Sequence, residues 1–232
     1  MGYTLYIANK RYSSWSMRPW VLLKAHSVPF EESLHLFGSG WRHPHFTSFS
    51  PTGKVPCLLD TSAGGDITIW DSLAICEYVA ESHPAVWPTD RAAHAFARCA
   101  AAEMHSGFEA IREECGFNVG LRVQLPDPLS EALQRDVARL ESLWKEGLAR
   151  FGGPWIAGET FSVADAFFAP VAARVQTFGI VMGDEAMGYV KRLLEHPAVD
   201  EWVQGGLKEE IREAVHEADT VRGRKILQDL CA

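Results

Sequence analysis

The chain has 232 residues, 47% of them apolar and 22% charged. That balance belongs to a folded globular protein of one large domain or two small ones, and it excludes a disordered or collagen-like chain. The 30 Asp and Glu outweigh the 22 Lys and Arg to give a net charge of -8. No run of Lys or Arg supplies the basic face that a phosphate backbone needs, so no nucleic-acid partner is expected.

No uncharged apolar stretch approaches the roughly 18 residues that span a bilayer, so no membrane association is expected. Residues 1–6 lack a basic segment followed by an apolar one, so no secretory signal is expected either. The cysteines, Cys57, Cys76, Cys99, Cys115 and Cys231, are odd in number, widely spaced and without a C-x-x-C pair. Such a set suits free thiols in the cytoplasm and gives no metal-binding signature.

Up to about residue 83, β-type runs alternate with helical ones. Residues 4–8 read as a first strand. Ser16 with Met17, Trp20, Val21 and Ala25 at helical spacing predicts a helix starting at Ser16, with Pro19 tolerated in its first turn. Residues 30–37 read as a second strand, and residues 38–53 as a loop. Residues 54–60 and 67–70 read as an antiparallel hairpin closed by Ala63-Gly64-Gly65-Asp66. Residues 72–82 follow as a helix. A βαβ unit followed by ββα is the thioredoxin-like layout.

Two prolines, Pro84 and Pro88, mark a linker. Beyond it the pattern is helical: one long helix over 91–116, a second over 129–151, and a buried third over 163–178. Ser162 and Asp165 open the third as a capping box, with Phe161 as its staple. Two short helices follow over 189–194 and 198–203. The charge-rich segment 209–232 reads as a last helix or a frayed tail. The expected fold is an α/β thioredoxin-like N-terminal domain (1–83), a linker (84–90) and an all-α helical-bundle domain (91–232).

Three segments can carry chemistry. Ser13-Ser14-Trp15-Ser16-Met17-Arg18 lies between the first strand and the first helix, where free amides and the helix dipole stabilise an anion such as a thiolate. The segment has hydroxyls and no cysteine, so it is suited to hold another molecule's sulfur. It serves equally as a turn and helix cap. In Gly53-Lys54-Val55-Pro56, a proline inside a strand removes a ladder amide and implies an edge position or an unusual geometry. A cis bond would turn the Val55 amide and carbonyl toward a peptide-like ligand. Asp71-Ser72 opens a helix, as a cap or as a site for a carboxylate and an ammonium group.

In this order and spacing, together with Gly158-Glu159-Thr160-Phe161-Ser162-Val163-Ala164-Asp165, the segments resemble the glutathione S-transferase superfamily. The Ser-Ser-x-Ser-x-Arg pattern is most similar to the zeta class, which includes maleylacetoacetate isomerases. Trp15 stands where that class has Cys, and Pro19-Trp20 replaces Val-Arg. The resemblance implies a homodimer with glutathione as co-substrate and a small electrophile as second substrate. It implies that Ser13, or Ser14 as second candidate, hydrogen-bonds the glutathione sulfur. Trp15, Lys54, Val55, Asp71 and Ser72 would bind the tripeptide, with Pro56 as a cis-proline. His43 and His45 are further candidates for its glycine carboxylate, or else solvated loop residues. Arg18 is read as structural. Met104, His105, Phe108, Ile111 and Arg112 share a broad face of the long helix and are expected either to line a second-substrate pocket or to pack the bundle. Arg112 is suited to an acidic co-substrate. The implied activities are glutathione transfer, glutathione-dependent cis–trans isomerisation, or a non-catalytic interaction module.

Overall fold

Tyr3, Leu5 and Ile7 are buried in alternation along β1 (Tyr3–Ile7), which makes it a central strand. It pairs parallel with β2 (Glu31–Leu34) and antiparallel with β3 (Cys57–Asp60). β3 in turn pairs antiparallel with β4 (Ile67–Ile69), giving the order β2-β1-β3-β4. The parallel step needs a crossover, and α1 (Ser14–Ala25) supplies it. α2 (Ser72–Ser82) completes the thioredoxin-like half. This computed structural model describes residues 2–38, 40, 43–62 and 64–231. Ser39, Trp41 and Arg42 of the expected loop, Ala63 of the expected hairpin turn, and both terminal residues lie outside the described residues.

Three strands are shorter than the sequence predicts. β2 stops at Leu34, β4 stops at Ile69, and β3 starts at Cys57 because Pro56 cannot donate to the ladder. α1 starts two residues earlier than expected, with Ser13 rather than Ser16 as its N-cap.

The helical half comprises α3 (Arg91–Ser106), α4 (Glu109–Glu114), α5 (Glu131–Phe151), α6 (Val163–Phe178), α7 (Asp184–Glu195), α8 (Pro197–Leu207) and α9 (Ala214–Val221). The single helix expected over 91–116 is broken. α3 stops at Gly107, where a Cβ would lie 2.9 Å from the Glu103 carbonyl oxygen, and Phe108 takes a left-handed conformation at φ 55°. The tail is neither one helix nor frayed. After α9 it forms β6 (Ile226–Asp229), antiparallel to β5 (Leu121–Val123).

α6 is apolar on every side and all of it but Gln176 is buried, so it packs against α3, α7 and, across the two halves, α1. Its Asp165 carboxylate is buried, which raises its pKa. It accepts from the Ser162 amide at 2.8 Å, the Ser162 hydroxyl at 2.9 Å, the Ile156 amide at 3.2 Å and the Tyr189 hydroxyl at 2.7 Å. Four donors offset the cost of burying the charge.

The last residues fasten the loop after β1. Glu209 accepts from the Lys10 amide at 2.6 Å and the Arg11 amide at 3.2 Å. Arg11 Nε donates to the Gly206 carbonyl at 3.0 Å, and its guanidinium also donates to the Glu209 carbonyl. The Trp202 indole donates to the Lys10 carbonyl at 2.9 Å, and the Tyr12 hydroxyl to Glu217 at 2.7 Å. Among the described residues no helix is long and apolar enough to cross a membrane.

Candidate functional site

A cleft follows the N-termini of α1 and α2. It consists of two hollows of about 380 and about 320 Å³ that share Trp15, Lys54 and Val55. Hollows of this size suit a small peptide. The larger adds Pro56, Asp71, Ser72 and His105. The smaller adds Ser13, Ser14, His43 and His216.

The two serines at α1 differ in their bonding. Ser13 Oγ accepts from the Ser16 amide at 3.3 Å and pairs with Ser16 Oγ at 2.8 Å, so its hydroxyl closes the cap. Ser14 Oγ accepts from Arg174 Nη2 at 3.3 Å. A guanidinium can only donate, so the Ser14 proton is left for another acceptor. The Ser14 and Trp15 amides make no backbone bond among the described residues, as expected in a first helical turn. Tyr12 also borders this hollow, but burial and its bond to Glu217 raise its phenol to about 12.

Gly53, at φ +63°, makes the left-handed turn that brings Lys54 and Val55 to the cleft wall. The Val55–Pro56 bond is cis, and the Val55 amide and carbonyl have no backbone partner among the described residues. At the other end, Asp71 caps α2 by accepting from the Leu73 amide at 3.0 Å. Its second oxygen meets His105 Nε2 at 3.2 Å. The Ser72 hydroxyl is wholly buried at the cleft wall and has no partner among the described residues. Burial lowers the His105 pKa, as do Arg18 and Arg112, while Asp71 opposes them.

The face proposed for a second substrate is divided by the break at Gly107. Met104 and Phe108 are buried in the core and border neither hollow. Ile111 is fully buried as well. His105 joins the Asp71 end of the cleft, while Arg112 lines a recess of about 360 Å³ beside Trp15 with Glu109 and Glu113. His43 borders the smaller hollow, and its Nδ1 accepts from the Gly38 amide at 3.1 Å. His45 is tied to the Leu36 carbonyl at 3.1 Å and borders neither hollow.

Arg18 is buried between the rings of Trp15 and Phe167, at 4.1 and 4.7 Å, and its Nε and Nη1 have no hydrogen-bond partner among the described residues. Burial lowers its pKa to about 9, with Arg174 and Arg112 adding to the effect. None of the chain's buried thiols can supply a nucleophile. Burial raises Cys57 to about 11 and Cys115 to about 12, and raises Cys76 too. Among the described residues no group of three or more His, Cys, Asp or Glu is placed to hold a metal ion.

Sequence reasoning missed Thr52, Trp70, His216 and Arg174. Thr52 and Trp70 adjoin the recognised segments and could have been included by extending them. His216 and Arg174 arrive from the distant half, and nothing in local spacing marks them.

Comparison with known proteins agrees with this layout. The family model for the glutathione S-transferase N-terminal domain matches residues 12–82, and that for the C-terminal domain matches residues 92–205. Glutathione S-transferase 1 of Dianthus caryophyllus is 28% identical over 188 residues, covering 78% of this chain and 80% of that protein. Glutathione S-transferase F13 of Arabidopsis thaliana is 29% identical over 161 residues, covering 65% of this chain and 71% of that protein. The crystal structure of a glutathione transferase homolog from Burkholderia gl BGR1, with bound glutathione, superposes with a TM-score of 0.66 at 27% identity, over 89% of this chain and 99% of that one. Ure2p in complex with glutathione shares the fold, with a TM-score of 0.65 at 20% identity, over 88% of this chain and 94% of that one. None of these four is named for the zeta class. With both halves matched in order, the chain belongs to the glutathione S-transferase superfamily.

Proposed function

We propose that this protein is a glutathione transferase that ionises the glutathione thiol and directs it at a small electrophile. The observation that carries this reading is the Ser72 hydroxyl: buried at the cleft wall, unpartnered, and beside the Asp71 carboxylate. A buried polar group without a partner costs about 1–3 kcal/mol, which a ligand carboxylate at the α2 N-terminus would offset. The γ-glutamyl end therefore belongs at Asp71 and Ser72, and the peptide backbone at the unpaired groups of Val55. The sulfur belongs at Ser13 and Ser14, and the glycine end near Lys54 and His43.

A free thiol with a pKa near 8.5 is about 3% ionised at pH 7, and lowering that pKa by two units favours the anion by about 2.7 kcal/mol. Serine is no base at this pH. The thiol proton leaves to solvent, while a hydroxyl and the free amides of α1 stabilise the anion that remains. The thiolate then attacks an electrophilic carbon and displaces a leaving group. The free cysteines agree with work in the reducing cytoplasm, and a homodimer follows from the family likeness.

Calorimetry with glutathione tests this reading. Specific binding is expected, with a thiol ultraviolet titration shifted below that of free glutathione. No heat at millimolar glutathione sinks it. Turnover of a chloronitrobenzene-type electrophile, against isomerisation of maleylacetoacetate, separates transferase from isomerase. Binding without either reaction identifies a non-catalytic module.

A further inference from the structure

We propose that Arg174, carried by α6 of the helical half, is a positioning residue that acts through Ser14 on the bound thiolate. The inference rests on the glutathione site proposed above.

Arg174 Nε donates to the Cys115 carbonyl at 2.8 Å, which anchors the guanidinium, and Nη2 donates to Ser14 Oγ at 3.3 Å. Both side chains are buried, at 6% and 7% exposure, so solvent does little to screen the contact. A hydroxyl that accepts from a cation is a stronger donor, and its proton is turned away from that cation. Ser14 borders the smaller hollow, where the sulfur is assigned. Ser13 cannot do the same while its hydroxyl is closed on Ser16. The preference between the two serines is thus set by a residue 160 positions away.

The surroundings of Arg174 favour an anion. Arg18 on α1 and Arg112 on α4 both act on it, opposed by Asp219 on α9, while the Cys115 thiol, raised to about 12, stays neutral. Among the described residues, none of the three arginines has a carboxylate within ion-pair distance. Burial, with Arg112 adding, lowers the Arg174 pKa to about 10, so it remains charged at neutral pH. Facing Ser14 across the hollow are Lys54, His43, Tyr12 and His216, the last paired with Glu213 at 2.6 Å. Cations near a thiol lower its pKa.

The test is the thiol titration of bound glutathione in a double-mutant cycle of Ser14→Ala and Arg174→Gln, with Ser13→Ala alongside. Each cycle member is expected to raise the thiol pKa by about one unit, which is a tenfold loss of thiolate well below that pKa. The double variant is expected to show little more than either single one, and Ser13→Ala a smaller shift. Rate constants at pH 6.5 should fall accordingly and recover near pH 9.5. Additive shifts, or an unmoved pKa in Arg174→Gln, overturn the inference even if glutathione binds. Failure of the wild type to bind glutathione overturns the parent reading instead. Should Arg174→Gln not fold, Arg174→Lys replaces it. Should neither fold, an unmoved pKa in Ser14→Ala decides against the proposal and a raised one, with Ser13→Ala moving less, supports it.

Discussion

Single hydroxyls at helix starts have different tasks here, and their partners tell them apart. The Ser13 hydroxyl is bonded as a cap, that of Ser14 accepts a hydrogen bond from Arg174, and that of Ser72 has no partner among the described residues. Ser72→Ala removes an unsatisfied buried group, so unfolding by urea should show no loss of stability. Calorimetric affinity for glutathione should fall about 10- to 150-fold, the worth of one hydrogen bond to a charged group. Unchanged affinity would remove Ser72 from the site. The sequence could not rank these serines. Three hydroxyls within four residues are all competent caps, and only tertiary contacts assign one to the helix and another to Arg174.

At the scale of elements, turn and cap residues were legible where they act locally. Pro56 delays the start of β3 by lacking a donor, and Ser162 and Asp165 mark the start of α6. The β5–β6 pair was not legible, because strands of 3 and 4 residues show no periodicity and their partners are about a hundred positions apart. The break between α3 and α4 was missed because the apolar spacing runs on across Gly107.

The tail carries a pH dependence of its own. Arg212 bonds Asp229 at 2.7 Å and, against partial burial, holds its carboxyl below the ordinary range. A lowered carboxyl pKa adds stability above the unfolded value, about 3.9, and that stability is lost as pH falls through the folded one. The pair is part-exposed, so the effect should stay under about 1 kcal/mol. Amide-exchange protection of β5 and β6 should therefore drop modestly between pH 6 and pH 2.5. In Asp229→Asn it should already be reduced at pH 6 and change less with acid. Equal acid sensitivity in both proteins would exclude this carboxylate as the cause.

Over the whole molecule, the two halves pack directly on each other. α6 packs on α1, and α8 comes so close to the loop after β1 that a Cβ on Gly206 would lie 2.9 Å from the Arg11 amide nitrogen and 2.8 Å from Val119. Backbone cannot yield as a flexible side chain does. Gly206→Ala should cost about 1–3 kcal/mol, and thermal unfolding should move down by about 2–4 °C per kcal/mol. Weaker glutathione binding should accompany it, since the strained loop leads into Ser13. An unshifted melting temperature would show that α8 relaxes outward freely.

The architecture of two halves was readable because each half has its own period: alternation with strands first, helical spacing afterwards. Their mutual fit was not readable, since Arg11, Trp202 and Glu209 reveal their partnership only in three dimensions.

The clasp between Lys10 and Glu209 joins positions 199 residues apart. On a ribosome adding about 5–20 residues per second, the opening stretch therefore emerges about 10–40 s before its clasp exists. Until then the nascent protein holds its hydroxyl-rich bend without the carboxylate that later secures it. A chain cut short before residue 209 would keep the Trp202 and Gly206 contacts to that bend and lose the carboxylate that binds its two amides.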